Sequence, residues 1–150
     1  MPILNYTTKI DAWQTISEIQ QMLSKHGATH FSIRNEESKP VAVSFSIDFN
    51  GQPLNFLLPC KFQNVWTIMK KDANAVKVLK KAMKFNEEQS FKVSWRIVKD
   101  WIEAQLALVE VEMVKVEEVF MPYLIVNSNG QTLSEKILQG NGMKLLANGG

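Results

Sequence analysis

Residues 41–51 read VAVSFSIDFNG, and the reading of this stretch decides the fold. Val41, Val43, Phe45, Ile47 and Phe49 alternate with Ala42, Ser44, Ser46 and Asp48. A period of two sends successive side chains to opposite faces of a strand, so one face is apolar and the other small and polar. Asn50-Gly51 follows, a pair that tolerates the positive φ of a type I′ hairpin turn. The return strand takes residues 53–58, with Leu54, Phe56 and Leu58 on one face and Pro59 at its end. One apolar face and one polar face predict a sheet packed on one side only.

Upstream, Phe31 and Ile33 flank Ser32 in another strand, and the polar residues 35–40 connect it as a turn or loop. A helix precedes it. Thr15 and Glu18 have capping-box spacing, Ile16, Ile19 and Leu23 recur at helical steps, and His26-Gly27 supplies a stop. This predicts a helix over 16–26. Tyr6, Thr7 and Thr8 favour a short strand over 4–10.

Downstream the period changes to helical. Phe62, Val65, Trp66 and Met69 form one stripe. Asp72-Ala73-Asn74 reads as a break, and Val76, Val78, Leu79, Ala82 and Met83 supply a further apolar surface. A long helix is predicted over 88–113, where Phe91, Trp95, Val98, Ile102, Leu106, Val109 and Met113 step by three and four. A second stripe, including Ile97, Trp101 and Leu108, adjoins the first, so this helix is central. Residues 116–123 read as a helical turn or two, and 127–130 as a turn. Thr132 and Glu135 repeat the capping-box spacing before a short helix over 133–138. The expected architecture is α+β: an antiparallel meander of three to four strands, one N-terminal helix, and a helical C-terminal half with one long helix. Residues 1–139 form one domain in this reading, and 140–150 a flexible tail.

Composition bounds the rest. The chain has 150 residues, 17 Lys+Arg, 15 Asp+Glu and a net charge of +2, with 45% hydrophobic residues. These values exclude a disordered or collagen-like chain. Cys60 is the sole cysteine, so no internal disulfide forms, in keeping with a reducing compartment. The start of the chain lacks a secretory pattern, and no apolar run reaches the roughly 18 residues of a membrane span. The expectation is a cytoplasmic protein without membrane contact.

No catalytic set is legible. His26 and His30 lie without acids or cysteines at ligand spacing and read as structural, so no metal or other cofactor is expected. Cys60 reads as a small buried hydrophobe. Glu36-Glu37, Glu87-Glu88 and Glu117-Glu118 are adjacent pairs that do not face each other on a helix. Trp66, Trp95 and Trp101 fall on apolar stripes and read as core, while Trp13 precedes the capping box at a helix entrance.

Charge is where the chain departs from average. Residues 61–84 carry seven Lys against Asp72, or +6, and residues 100–118 carry six acids against Lys115, or −5. Within the basic block are Lys70, Lys71, Lys77, Lys80, Lys81 and Lys84; Lys77, Lys81 and Lys84 share one helix face. Lys92, Arg96 and Lys99 make a second row at the same spacing on the long helix. Such rows can neutralise phosphates and release counterions, which makes DNA or RNA the expected partner. They can equally be solvated faces, with Arg96–Asp100 and Lys99–Glu103 pairing along the helix. A host protein is the alternative partner, and self-association through the two-sided long helix is a third.

Residues 4–28, LNYTTKIDAWQTISEIQQMLSKHGA, and 94–110, SWRIVKDWIEAQLALVE, resemble a family of small proteins from bacteriophages, mobile elements and bacterial genomes. EEVFMPYL at 117–124 fits the same family, and the resemblance runs from Leu4 to about Leu138. It implies an accessory role on nucleic acid or against a host factor, and transfers no catalytic residue. The order helix, three strands, helix is also similar to the double-stranded-RNA-binding domain, with Lys80-Lys81-Ala82-Met83-Lys84 in place of its lysine cluster. The helix over 62–69 and the long helix depart from that pattern.

Overall fold

The computed structural model describes residues 8–71 and 87–139. Helix α1 is Ala12–Lys25, followed by β1 Ala28–Glu36, β2 Lys39–Phe49 and β3 Gln52–Pro59. Then come α2 Phe62–Lys71, α3 Glu87–Glu110 and α4 Val116–Val119. A single 3₁₀ turn, Met121–Tyr123, and α5 Leu133–Leu138 complete the order. The α+β architecture expected from the patterning is the one observed. Three strands form the sheet, in the order β1-β2-β3, all antiparallel.

Alternation along β2 sorts the sheet into two faces. Val43 pairs with Ile33 and Leu58, Phe45 with Phe56, and Ile47 with Ala28 and Leu54. Cross-strand partners share a face, so these residues make the inner one. Phe45 and Phe56 stack at 5.4 Å, and Phe120 meets Phe45 edge-on at 5.6 Å. Trp101 meets Phe120 at 5.6 Å, which brings α3 and the chain after it onto the sheet. Ile16, Ile19 and Leu23 of α1 and Trp95, Ile102 and Leu106 of α3 complete one continuous core. Each such side chain contributes about 1.5–3 kcal/mol by leaving water. Trp95 is wholly buried, and its indole N–H donates to the Pro40 carbonyl at 3.1 Å. That bond satisfies two polar groups that burial would otherwise leave costly.

The outer face holds Ala42, Ser44 and Ser46 with their partners. Ser32 and Ser44 hydroxyls meet at 2.6 Å, and Ser46 donates to Asn55 Oδ1 at 2.6 Å. The open edge of β3 is not bare along its whole length. Ile125 N–H donates to the Asn55 carbonyl at 2.8 Å, and Leu124 bridges Phe56, which brings the later chain beside β3.

Several local expectations are corrected. Helix α1 starts at Ala12 with Asp11 as its N-cap, not at a Thr15 cap. Thr15 is buried inside the helix and donates to the Asp11 carbonyl at 3.4 Å, while Glu18 pairs with Arg96. Core burial of Thr15 and a long-range cation for Glu18 override the local capping pattern. Residues 8–10 are not a strand, and residues 4–7 lie outside the described residues. The 35–40 connection is a two-residue turn, Glu37-Ser38, since Glu36 already pairs with Lys39. Helix α3 ends at Glu110, three residues short of Met113. The α1 stop, the Asn50-Gly51 turn and the Thr132–Glu135 cap match expectation: Gly27 and Gly51 take φ 92° and 84°, and Glu135 N–H donates to Thr132 Oγ1. The expected break at 72–74, the helical stretch at 76–83 and the flexible tail over 140–150 lie outside the described residues.

Candidate functional site

The cationic rows resolve differently from one another. On α3, Arg96 Nη1 lies 2.6 Å from Glu18 Oε2, tying α3 to α1 with both side chains mostly shielded. Lys99 Nζ lies 2.9 Å from Glu103 one turn away. Lys92 is half-buried. The row Lys92, Arg96 and Lys99 is therefore not a free cationic face, because two of its charges are paired with carboxylates of the same chain. Lys99–Glu103 is the helical pair the spacing suggested, whereas Arg96 takes a partner 78 residues away that no local spacing reveals.

The basic block behaves otherwise where it is described. Lys61, Lys70 and Lys71 are exposed, and among the described residues none makes an ion pair with a carboxylate. Lys70 sits over the Trp66 ring at 5.2 Å from its centre, a contact that leaves its outward N–H groups to solvent. Lys70 and Lys71 occupy the last turn of α2, where the carbonyl end of the helix favours positive charge. Lys77, Lys80, Lys81 and Lys84 lie outside the described residues.

A second feature has no counterpart in the linear reading. A groove of about 730 Å³ lies on the outer face of the sheet where β3 runs into α2. Its floor is Ala42, Leu57 and Pro59. Arg34 and Glu36 of β1 stand on one side, Lys61 at the entry to α2 on another, and residues 129–135 form the far wall. Arg34 reaches its place because it pairs with Ala42, which pairs with Pro59, so the three form one row across the outer face. Its Nη2 comes within 3.9 Å of where a Cβ on Gly130 would stand.

The far wall is built by its own hydrogen bonds. Asn127 Oδ1 accepts from the N–H groups of Asn129 and Gln131, both at 3.1 Å, an Asx-type turn. Gly130 takes φ 78°, and Val126 N–H donates to the Gln131 carbonyl at 2.9 Å. Thr132, 4% exposed, opens α5: its N–H and hydroxyl both donate to Glu135 Oε1 at 2.9 Å. Those bonds, then the nearby charges of Lys61 and Arg34, hold the Glu135 carboxyl below its ordinary range. Glu135 is thus a carboxylate with one oxygen engaged by Thr132.

Cys60 lines the groove edge but is 3% exposed, and burial pushes its thiol up to about 12. It is a protonated, unreactive thiol at neutral pH. His26 Nδ1 bonds the Met22 carbonyl at 2.9 Å, and its Nε2 lies 3.4 Å from Glu110, which joins the ends of α1 and α3. His30 is exposed in a strand irregularity, at φ 54°. Among the described residues no three His, Cys, Asp or Glu converge for a metal ion, and no helix is long and apolar enough to cross a membrane. Trp95 is fully buried, Trp66 and Trp101 are half-buried, and Trp13 is 48% exposed on the first turn of α1. No family model matches the chain, and no curated protein or solved structure matches it.

Proposed function

We propose that the protein binds nucleic acid without catalysis, through the lysine-rich segment that begins at Lys61, as a cytoplasmic accessory protein of a phage or mobile element. One observation carries this reading. Lys61, Lys70 and Lys71 are exposed and, among the described residues, free of ion pairs with carboxylates, and they open a segment with a sequence charge of +6. Uncompensated exposed cations are what a phosphate backbone recognises, with release of its counterions. Lys92, Arg96 and Lys99 contribute less, since two of them are already paired. Fluorescence polarisation with labelled single- and double-stranded DNA and RNA at low salt tests it. Binding that weakens steeply as salt rises supports the reading, and no binding of any of the four overturns it.

A protein partner is the second reading, favoured by a separate observation. Leu108, Val111 and Met113 are exposed at the end of α3, Met113 to 73%, beside Glu110 and Glu112. Apolar side chains grouped this way suit a protein interface, with a host factor or with a second copy of the chain. Sedimentation of the purified protein separates these: a monomer removes self-association, and a dimer supports it.

A further inference from the structure

The groove on the outer sheet face does not fit the polyanion reading. Its charged lining is balanced, Arg34 and Lys61 against Glu36 and Glu135. A balanced lining creates no net field to draw in a polyanion. Yet none of these opposite charges pairs directly with another, although Glu135 feels both cations. Arg34 presents a planar fork of donors suited to a carboxylate, and Lys61 adds a point charge. Glu135 keeps one oxygen outside the Thr132 bonds, and Glu36 is exposed without an ion-pair partner among the described residues. The wall that carries Glu135 is fastened at Asn127, Gln131 and Thr132, so its charge is held in place before any ligand arrives. A volume near 730 Å³ lies in the range of small-ligand sites, roughly 300–1,000 Å³.

We propose that this groove binds a small dipolar ligand, a free amino acid or a short peptide, with its carboxylate between Arg34 and Lys61 and its amine at Glu36 and Glu135. The separated charges of the groove then find in the ligand the partners they lack in each other. The Ala42, Leu57 and Pro59 floor meets the ligand's uncharged middle. This site shares Lys61 with the nucleic-acid reading but uses neither Lys70 nor Lys71, so loss of oligonucleotide binding in the Lys70 and Lys71 variants and loss of triglycine binding in Arg34→Gln test the two readings separately.

Triglycine is the probe, added to the isotope-labelled full chain and followed by amide chemical shifts. Saturable shifts confined to Arg34, Lys61 and residues 129–135, with Kd below about 10 mM, support the site. Acetylating the amine or amidating the carboxylate of triglycine should each weaken binding by about tenfold, since each removes one charge contact. Arg34→Gln should weaken triglycine binding by a similar factor. Glu135→Gln, which retains an oxygen to accept from Thr132, should weaken it while the spectrum stays folded. Lys25→Gln on α1 should change nothing. Absence of groove shifts at about 50 mM triglycine overturns the proposal. So does unchanged affinity in Arg34→Gln, or inorganic phosphate binding more tightly than triglycine, which would make the site a plain anion site.

Discussion

Replacing Glu37-Ser38 by Asn-Gly should stabilise the protein by about 1–2 kcal/mol. The meander has two two-residue turns with the same backbone sign. Glu37 and Ser38 take φ 51° and 66°, and Asn50 and Gly51 take 51° and 84°. Each turn is flanked by a paired couple, Glu36–Lys39 in one and Phe49–Gln52 in the other. Only the second uses residues made for the conformation. A left-handed backbone pushes Cβ against the following carbonyl oxygen at about 1–2 kcal/mol for an ordinary residue. Glycine removes that clash, and asparagine tolerates the region better than glutamate. Against this gain, glycine loses about 0.5–1 kcal/mol more backbone freedom on folding. Glu37 is exposed and makes no ion pair among the described residues, so loss of its charge shifts the balance by only a few tenths. Urea unfolding followed by far-ultraviolet circular dichroism should show a higher midpoint at unchanged m. The melting temperature should rise by about 2–8 °C. The reciprocal exchange, Asn50→Glu with Gly51→Ser, should cost at least as much. An unchanged or lower midpoint for Glu37→Asn/Ser38→Gly would refute the idea that positive φ at these two residues is a stability cost.

Four further outcomes are expected. Cys60 keeps its proton to about pH 12 in the fold, against 9.0 for a free thiol. Unfolding therefore releases a proton in that window, so the Cys60 contribution to stability is constant below it and falls as pH rises from about 9 to about 12; Cys60→Ala should flatten that slope relative to wild type, and iodoacetamide should label Cys60 only in urea. Trp95→Phe should cost about 2–4 kcal/mol in urea unfolding, from the lost ring volume and from an unpaired Pro40 carbonyl. Arg96→Ala should cost about 1–2 kcal/mol, moderated because Glu18 can turn toward solvent, and a double-mutant cycle with Glu18→Gln should return a coupling near 1 kcal/mol. Lys70→Glu/Lys71→Glu should weaken oligonucleotide binding at every sequence tested and lower the salt slope by about 2, without changing urea stability by more than about 0.5 kcal/mol.

Elements with a local physical cause were legible in the chain. Period-two alternation over 41–49, the Asn50-Gly51 pair, the His26-Gly27 stop and the Thr132–Glu135 cap each act between residues a few positions apart. The misreadings have equally definite causes. Thr15 and Glu18 carry a capping-box spacing, but the core claims one and Arg96 the other. Glu37-Ser38 bears no hairpin signature, because the pairing of β1 with β2 forces a turn that the two residues themselves disfavour.

Taken alone, the sequence determined the α+β class, the meander, the central helix and the split of a +2 chain into basic and acidic segments. These follow from side-chain periodicity and charge counting, which need no knowledge of distant neighbours. Tertiary structure decided which charges are spent and which are free. Arg96 is neutralised by Glu18 across the α1–α3 packing, whereas Lys70 and Lys71 remain exposed. It also created the groove, since Arg34 comes from β1, Lys61 from the junction of β3 with α2, and Glu135 from α5. A Coulomb interaction depends on distance through space and on local burial, and neither is set by separation along the chain.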